Sequence, residues 1–422
     1  MTKQRDMKCD VVVVGGGSAG VAAAIGAAQT GADTILIEKN PYFGGAATHS
    51  SVLTYCGFFT QGNPPEQIVG GVGQKVLNNL SKIGMYDGPK RTPHTGTVIV
   101  LLDPEATKIA LDNCIAENNV KPLLHVQVIG TNVEDGKIKA IECVDHSGRF
   151  TIEAEAFIDA SGEANLTALA GGEYICGNEK GTFQAGTLMI RIGGVREESN
   201  AHPLEVQKAI KLGKEHGIAA LTKELGTIVR MPGSKDVLAI LADEGVNGLD
   251  SVSMTKAEMS ARKQAWGYLE AFKKYLPGFE NAYLVQTGPQ IGIRETRHIV
   301  GDYILTHSDV LNARRHNDSI GRGGWPMESH SEPGAPNVWQ SIANNSYYDI
   351  PLRSLKVRNI NNLWAAGRTI ACDPDAFASV RVMGTAFATG HAAGVTAALY
   401  CQHGFVDPVS VRNELLIQDA II

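Results

Sequence analysis

From Cys9 to Glu38 the chain sets out an unbroken apolar run, a glycine cluster, an alanine-rich stretch and a second apolar run ending in an acid. Val11 to Val14 form a continuous β-branched run, the pattern of a parallel strand buried on both faces. Gly15 allows a tight turn, Gly17 lets backbone approach a pyrophosphate, and Gly20 permits close packing of helix on strand. A helix starting near Ser18 aims its first N–H groups and its dipole at the phosphates. The second strand, Thr34–Ile37, delivers Glu38 to accept hydrogen bonds from an adenosine ribose. Gly-x-Gly-x-x-Gly alone says little in a chain with 47 glycines. The flanking strands, the helix and the acid at the required spacing separate a bound dinucleotide from a glycine-rich turn in an ordinary α/β domain.

Composition narrows the remaining classes. With 422 residues, 43% apolar and 19% charged, the chain can bury one elaborate domain or two connected ones. A net charge of −6 leaves no basic footprint for nucleic acid. Outside the glycine-rich first unit, no uncharged apolar run reaches the roughly 18 residues of a membrane span. The charged first residues lead straight into a core strand, so no secretory leader is expected ahead of it. The cysteines, at positions 9, 56, 114, 143, 176, 372 and 401, are scattered singly, which points away from a metal cluster. Isolated cysteines are usually reduced and buried, making the cytoplasm the expected location.

After Glu38, Phe43-Gly44-Gly45-Ala46 is another place where glycines let backbone crowd a ligand. Residues 50–100 read as a loop and short helix inserted before the sheet resumes. Asp103-Pro104-Glu105 is a helix start, with an N-cap, a proline at the first position and an acid in the first turn. A strand over Leu123–Val128 and hairpins turning at 134–137 and 145–148 follow, then a buried strand Ala156–Ala160. The section from about 180 to 340 carries charged amphipathic helices and few buried parallel strands. In it, Thr255-Lys256-Ala257-Glu258 has capping-box spacing and opens a helix placing Ala265, Leu269, Phe272 and Leu276 on one face. After 345 the α/β character returns with a short strand, Asn362–Ala366, and a small-residue helix over Ser379–Leu399. The cofactor domain is therefore expected to be discontinuous, with 1–180 and 345–422 on either side of a substrate or cap domain, 181–344.

That return late in the chain resembles the glutathione-reductase-type FAD fold. The specific resemblance is to the FAD-dependent oxidoreductases, relatives of the fumarate reductase and succinate dehydrogenase flavoproteins. It is carried by VVVVGGGSAGVAAAIGAAQTGADTILIEK (11–39), FGGAAT (43–48), FIDASGEANL (157–166) and VNGLDSVSMTKAEMSARKQAW (246–266). IGIRETRHIVGDYILTHSDV (291–310), YDIPLRSLKVRNINNLWAAGR (348–368) and RVMGTAFATGHAAG (381–394) complete it. The resemblance implies an α/β protein. Its Rossmann-like FAD-binding domain, a parallel sheet plus a β-meander, would carry an inserted α+β substrate domain. It implies FAD, covalent or not, with Gly15, Gly17 and Gly20 at the pyrophosphate and Glu38 and Lys39 at the adenosine ribose. Gly44 and Gly45 would line the flavin side, Val128 would face adenine, and Ala160, Gly162 and Gly367 would pack near the cofactor. Val382 and Met383, at the start of the last long helix, would face the flavin N1–C2=O edge, where the helix dipole favours negative charge. Members often have an acid with glycine after the turn at 160–162; here Ser161-Gly162-Glu163-Ala164 departs from that.

A flavin dehydrogenase needs a substrate C–H held over N5 and a group to move the accompanying proton. An anionic substrate can be clamped bidentately by arginine. Arg381, beside the expected helix start, is the first candidate, for substrate or flavin contact or for a structural ion pair. Arg294 and Arg297, read as three apart on one helix, serve either the substrate or a salt-bridge cluster locking the two domains. His49 is a candidate base, a covalent flavin attachment point as in the succinate dehydrogenase relatives, or an ordinary loop residue. His330 is an acid/base or a surface histidine. Cys56 has no second cysteine nearby to make a redox pair, which argues against disulfide-reductase chemistry. The expected activity is FAD-dependent hydride transfer between a small polar substrate and flavin N5. A flavoprotein monooxygenase using NAD(P)H and an FAD-binding electron-transfer subunit stand as alternatives. The electron acceptor and any homo-oligomeric state are open at this point.

Overall fold

The computed structural model describes residues 6–93, 95–177, 181–199, 201–330 and 332–422. Its main sheet is built outward from strand β1 (Met7–Val14), whose Val11, Val12 and Val13 have no exposed surface. β2 (Thr34–Ile37) lies parallel on one side, with Val11 opposite Thr34, and the strand Lys121–Leu123 extends that edge. On the other side runs Gly148–Asp159, also parallel to β1. This long strand changes partner midway. Its first half pairs antiparallel with Lys137–Asp145, which pairs in turn with Gln127–Glu134. Its last residues, Phe157 to Asp159, pair in parallel with Leu363–Ala365 from the far end of the chain. A parallel α/β sheet and an antiparallel meander thus share one strand, and two distant parts of the sequence complete one layer.

Helix α1 (Ser18–Gln29) covers one face of this sheet beside the helix Met383–His403. The two meet at backbone distance, because a Cβ at Gly390 would sit 2.0 Å from the Ala19 oxygen and one at Gly394 2.0 Å from the Ala23 oxygen. Small residues are therefore required on this seam, and their dispersion contacts replace interdigitated side chains.

Several local expectations change in the folded chain. The strand expected over Leu123–Val128 is split: Lys121–Leu123 joins β2, and a new strand begins at Gln127 after the break. Residues 50–100 hold more than a loop and a short helix. They form a twelve-residue helix, Gly71–Lys82, and a three-stranded antiparallel sheet of Thr54–Cys56, Val98–Leu101 and Lys90–Arg91. The long middle helix starts at Ser251, because Asp250 caps it by accepting from the N–H groups of Val252 and Ser253, both at 3.1 Å. Thr255 is one turn inside and bonds back to the Ser251 carbonyl.

That helix and Pro203–Glu215 pack on a four-stranded antiparallel sheet of Thr227–Arg230, Val237–Glu244, Gly186–Gly193 and Tyr283–Thr287. Arg294 and Arg297 do not share a helix. Thr187 and Gly292 exchange two backbone hydrogen bonds, which draws the segment out, and Arg297 opens a strand, Arg297–Ile299, paired with Tyr174–Cys176. The helix expected over Ser379–Leu399 is broken. Pro374–Val380 ends at Arg381, Val382 is extended (φ −73, ψ 152), and the long helix begins at Met383. The boundary expected at 180 falls outside the described residues.

Candidate active site

The glycine turn after β1 is shaped by what surrounds it. Gly15 has φ +103, and a Cβ there would lie 2.4 Å from the Ala160 oxygen; one at Gly20 would lie 1.7 Å from the Gly15 oxygen. The first bond of α1 runs from the Val21 N–H to the Gly17 carbonyl at 2.9 Å, so the N–H groups of Ser18, Ala19 and Gly20 precede the intrahelical ladder. No side chain caps this end, and the Ser18 hydroxyl is buried with no partner. These orphan donors are the anion site that a helix N-terminus provides.

Glu38, 6% exposed, accepts the Gly16 N–H at 2.7 Å on one oxygen and the Asn40 N–H at 2.9 Å on the other. The Asn40 side-chain amide also donates to it, which still leaves a carboxylate lone pair for a ribose hydroxyl. Gly44 and Gly45 take positive φ, +119 and +54, and fold back so that the Gly44 N–H donates to the Gly16 carbonyl.

A second polar site forms where the small hairpin Met327–Ser329 and Val338–Gln340 meets the extended 288–296 segment and the break at Arg381. Arg381 Nη2 donates to the Glu328 carbonyl at 3.0 Å, and Arg294 Nη1 donates to the Ala185 carbonyl. The Glu328 carboxylate gathers His330 Nε2 at 3.2 Å, Asn337 Nδ2 at 3.0 Å and Trp325 Nε1 at 3.3 Å. The Gln184-Ala185 segment closes the ring: the Ala185 N–H donates to the His330 carbonyl at 3.0 Å, and the His330 N–H to the Gln184 side-chain oxygen at 3.5 Å. Arg381 Nε and His330 Nδ1 are buried without partners.

Burial, with Arg294 beside it, pushes the His330 imidazole down to about 4 against the pull of Glu328. Burial would raise Glu328, but the His330 hydrogen bond and the nearby positive charges hold it down at about 2. Burial and the Arg381 charge lower Arg294 to about 10, and burial also lowers Arg381. At neutral pH the cluster is thus two guanidiniums, one carboxylate and a neutral imidazole with Nε2–H directed to Glu328. A cavity of about 460 Å3 lies beside it, lined by residues including Gln61, Arg91, Pro326 and Trp339. Trp325 joins the two, since its ring meets Trp339 edge-on while its N–H holds Glu328.

A family model described as FAD dependent oxidoreductase matches residues 10–416. The chain belongs to the FAD-dependent oxidoreductase family. Part of it is 35% identical over 107 residues to a 3-oxosteroid 1-dehydrogenase of Mycobacterium tuberculosis, covering 24% of this chain and 16% of that protein. The chain is also 29% identical over 168 residues to a thiamine thiazole synthase of Aeropyrum pernix, covering 38% of this chain and 56% of that one. The chain thus matches less than two thirds of either relative's length. In fold it is similar to the flavin-dependent brominase Bmp2, with a TM-score of 0.50 and 13% identity over 97% of this chain and 83% of that one.

The cofactor of this oxidoreductase is FAD, and the chain carries groups that fit it. The open N–H groups of α1 and the orphan Ser18 hydroxyl suit a pyrophosphate, and the spare acceptor of Glu38 suits a ribose. At the start of the helix Met383–His403, Val382 is a cap with no side-chain bond, Met383 is half-buried, and the Thr385 hydroxyl is buried without a partner. These are donors for a flavin carbonyl.

The other expected residues fall around this cradle. Ala160 donates its N–H to the Val14 carbonyl, and Gly367, at φ +74, lies against Ala19. Gly162, at φ +81, is covered by Arg368, whose Nη2 pairs with Glu163 at 2.6 Å. Lys39 is exposed, and Val128 is half-buried in its strand opposite Cys143.

Of the residues expected to do chemistry, Arg294, Arg381 and His330 come together. The His49 carbonyl accepts the Gln290 N–H at 2.9 Å, but its ring turns the other way, stacking on Tyr42 at 4.4 Å with Nε2 facing the Tyr42 carbonyl at 3.0 Å. That side chain is tied back toward Glu38 and Lys39, whose charges act on it. Glu328 and Ser18 were missing from the sequence reading. Glu328 lies two residues before His330, a spacing that puts both on one face of a strand.

Proposed function

We propose that this oxidoreductase moves a hydride between FAD and a small polar substrate bearing a negative charge, held by Arg294 and Arg381. The observation carrying this reading is the pair of half-buried guanidiniums that rest on main-chain carbonyls, with Arg381 Nε buried and unpartnered. Two guanidiniums set against the one Glu328 carboxylate leave a net positive charge, and the planar guanidinium fork suits a carboxylate. FAD supplies the hydride acceptor or donor at its N5 atom.

The chain's own residues bind, orient and move the proton. Glu328 fixes the His330 ring through Nε2–H, which leaves Nδ1 as a free lone pair. When a substrate carbon is oxidised, the proton of its hydroxyl or amine goes to that nitrogen; in reduction it comes back from it. The buried Trp325 covers the carboxylate side of the site, its N–H donating to Glu328 at 3.3 Å. In this reading residues 1–180 with 345–422 hold FAD, and 181–344 close over the substrate.

Anaerobic mixing with hydroxy acids, polyols, amines and cyclic ketones, followed at the flavin absorbance band, tests the assignment. Reduction by a carboxylate-bearing member is expected. Reduction by neutral cyclic ketones alone would overturn the anionic substrate, and fast bleaching by NADPH would favour a monooxygenase.

A further inference from the structure

The chemistry above leaves the cavity of about 460 Å3 unused, although its volume is that of a small-molecule site. Two features join it to the arginine cluster. Trp339, on its wall, stands directly opposite Glu328 in the hairpin, so the two side chains share a face. Thr97, also on its wall, lies two residues before Ile99 in the run that becomes the strand Val98–Leu101. The Thr92 N–H donates to the Thr97 carbonyl at 2.8 Å, which carries the pairing of Arg91 with Val98 one step further. Side chains two apart in such an extended run point the same way, about 7 Å from each other. Ile99 packs on Trp325 and on Val382, with Cys56, which faces Arg381, against the same cluster.

The cavity carries charge of one sign. Among its described lining residues only Arg91 is charged. Arg91 Nη1 donates to the Gly96 carbonyl and Nη2 to the Gly62 carbonyl, both at 2.5 Å, and no acid among the described residues pairs with it. Carbonyls fix the direction of this guanidinium and leave its charge standing, as they do for Arg294 and Arg381. The same wall presents the Trp339 ring, 40% exposed and edge-on to Trp325 at 6.0 Å. An uncovered indole is a surface on which a flat ring stacks. Ser341, Asn345 and Ser346 add hydroxyl and amide groups around it.

We propose that the substrate carries a second carboxylate at its far end, held by Arg91, on a flat body that lies along Trp339. The inference rests on the anion site proposed above, which takes the first carboxylate. Arg91 and Trp339 then determine specificity at a distance from the reacting atoms. Binding there forms no covalent bond and moves no proton. Arg91 is exposed, so its contribution falls at the low end of a charge-assisted hydrogen bond, about tenfold in affinity.

Calorimetric titration of the FAD-loaded protein with benzoate, terephthalate and the longer para-linked biphenyl dicarboxylate tests this, each dianion beside its monomethyl ester. The ester keeps the shape and loses one charge. At least one dianion is expected to bind about tenfold tighter than its ester. Arg91→Gln closes that gap, and Arg91→Lys, which keeps the charge, retains part of it. Trp339→Ala weakens dianion and ester alike, because both lose the stacking surface. Dianions no tighter than their esters, in a protein that binds benzoate, overturn the proposal alone. A gap that survives in Arg91→Gln, or ring ligands indifferent to Trp339→Ala, does the same. If neither benzoate nor any of the others binds, the anion site itself fails and this inference with it.

Discussion

His391 sits on the inner face of the helix Met383–His403, wedged between α1 and the start of the helix Gly71–Lys82. A Cβ at Gly26 or Gly71 would come within 2.7 Å of its ring. Nε2 meets the Gln418 side-chain oxygen at 2.7 Å, and burial pushes the ring down to about 4 from its ordinary 6.5. The folded protein therefore refuses a proton that the unfolded chain accepts. Stability from this group is complete above pH 6.5 and is lost as pH falls from there through about 4. The full difference is on the order of 3 kcal/mol, and about 2 kcal/mol of it is gone at pH 5.

His391→Gln keeps a donor toward Gln418 but cannot titrate. The variant is less stable at pH 7.5 because the ring leaves a void, and the gap to the natural protein narrows by about 2 kcal/mol at pH 5. Urea unfolding of the FAD-saturated proteins at the two pH values measures that gap, and His330, titrating in both, cancels from the comparison. A gap that stays constant to within about 0.5 kcal/mol would refute the assignment of a buried neutral imidazole here.

Arg381→Lys keeps the charge and loses the fork. Anion affinity, read by titration of the flavin spectrum, is expected to fall on the order of ten- to a hundredfold, as when a charge-assisted hydrogen bond is lost. Gly394→Ala drives a methyl group to 2.0 Å from the Ala23 oxygen and must part the two helices. Thermal unfolding should show a loss of at least about 1–3 kcal/mol, with FAD released on gel filtration. Glu38→Gln weakens the charge-assisted bond from the Gly16 N–H. Dissociation of FAD, followed by recovery of its fluorescence, is expected to become about tenfold easier.

The nucleotide end of the fold was legible because its determinants are local: β1, the turn, α1, β2 and Glu38 follow one another between Met7 and Glu38. The return of the chain at Leu363–Ala365 to the same sheet could be read from composition, since apolar and small residues reappear there. The helix break at Arg381 could not. The local sequence is small and helix-compatible on both sides, and the interruption comes from tertiary partners. A Cβ at Gly384 would lie 2.4 Å from the Cys56 carbonyl, so the long helix must start where that strand abuts it. Ser379 is meanwhile tied to the Trp325 carbonyl. The 291–298 stretch misled for the opposite reason. Its charges are spaced as on a helix, but its backbone bonds to Thr187 and to the strand Tyr174–Cys176 hold it extended. Apart from its spacing to His330, Glu328 has no local mark, and its role arises only when segments far apart in sequence bring Arg294 and Arg381 near it.

Arg294 and Arg381 are held by main-chain carbonyls, as the anion site proposed above requires. A lock between the two parts of the protein would set guanidinium against carboxylate, as Arg368 and Glu163 do at 2.6 Å. Arg297 instead donates to the Glu163 carbonyl and the Asn165 side chain, while Arg294 and Arg381 rest on the carbonyls of Ala185 and Glu328. A neutral carbonyl fixes the direction of a guanidinium without cancelling its charge, so the remaining N–H donors stay available. The Gln184-Ala185 segment orients Arg294 with a carbonyl, Glu295 with an N–H, and His330 through its backbone. One short stretch of main chain therefore sets three charged or titratable groups at once. Substitution of the Ala185 side chain should matter less there than any change that moves its backbone.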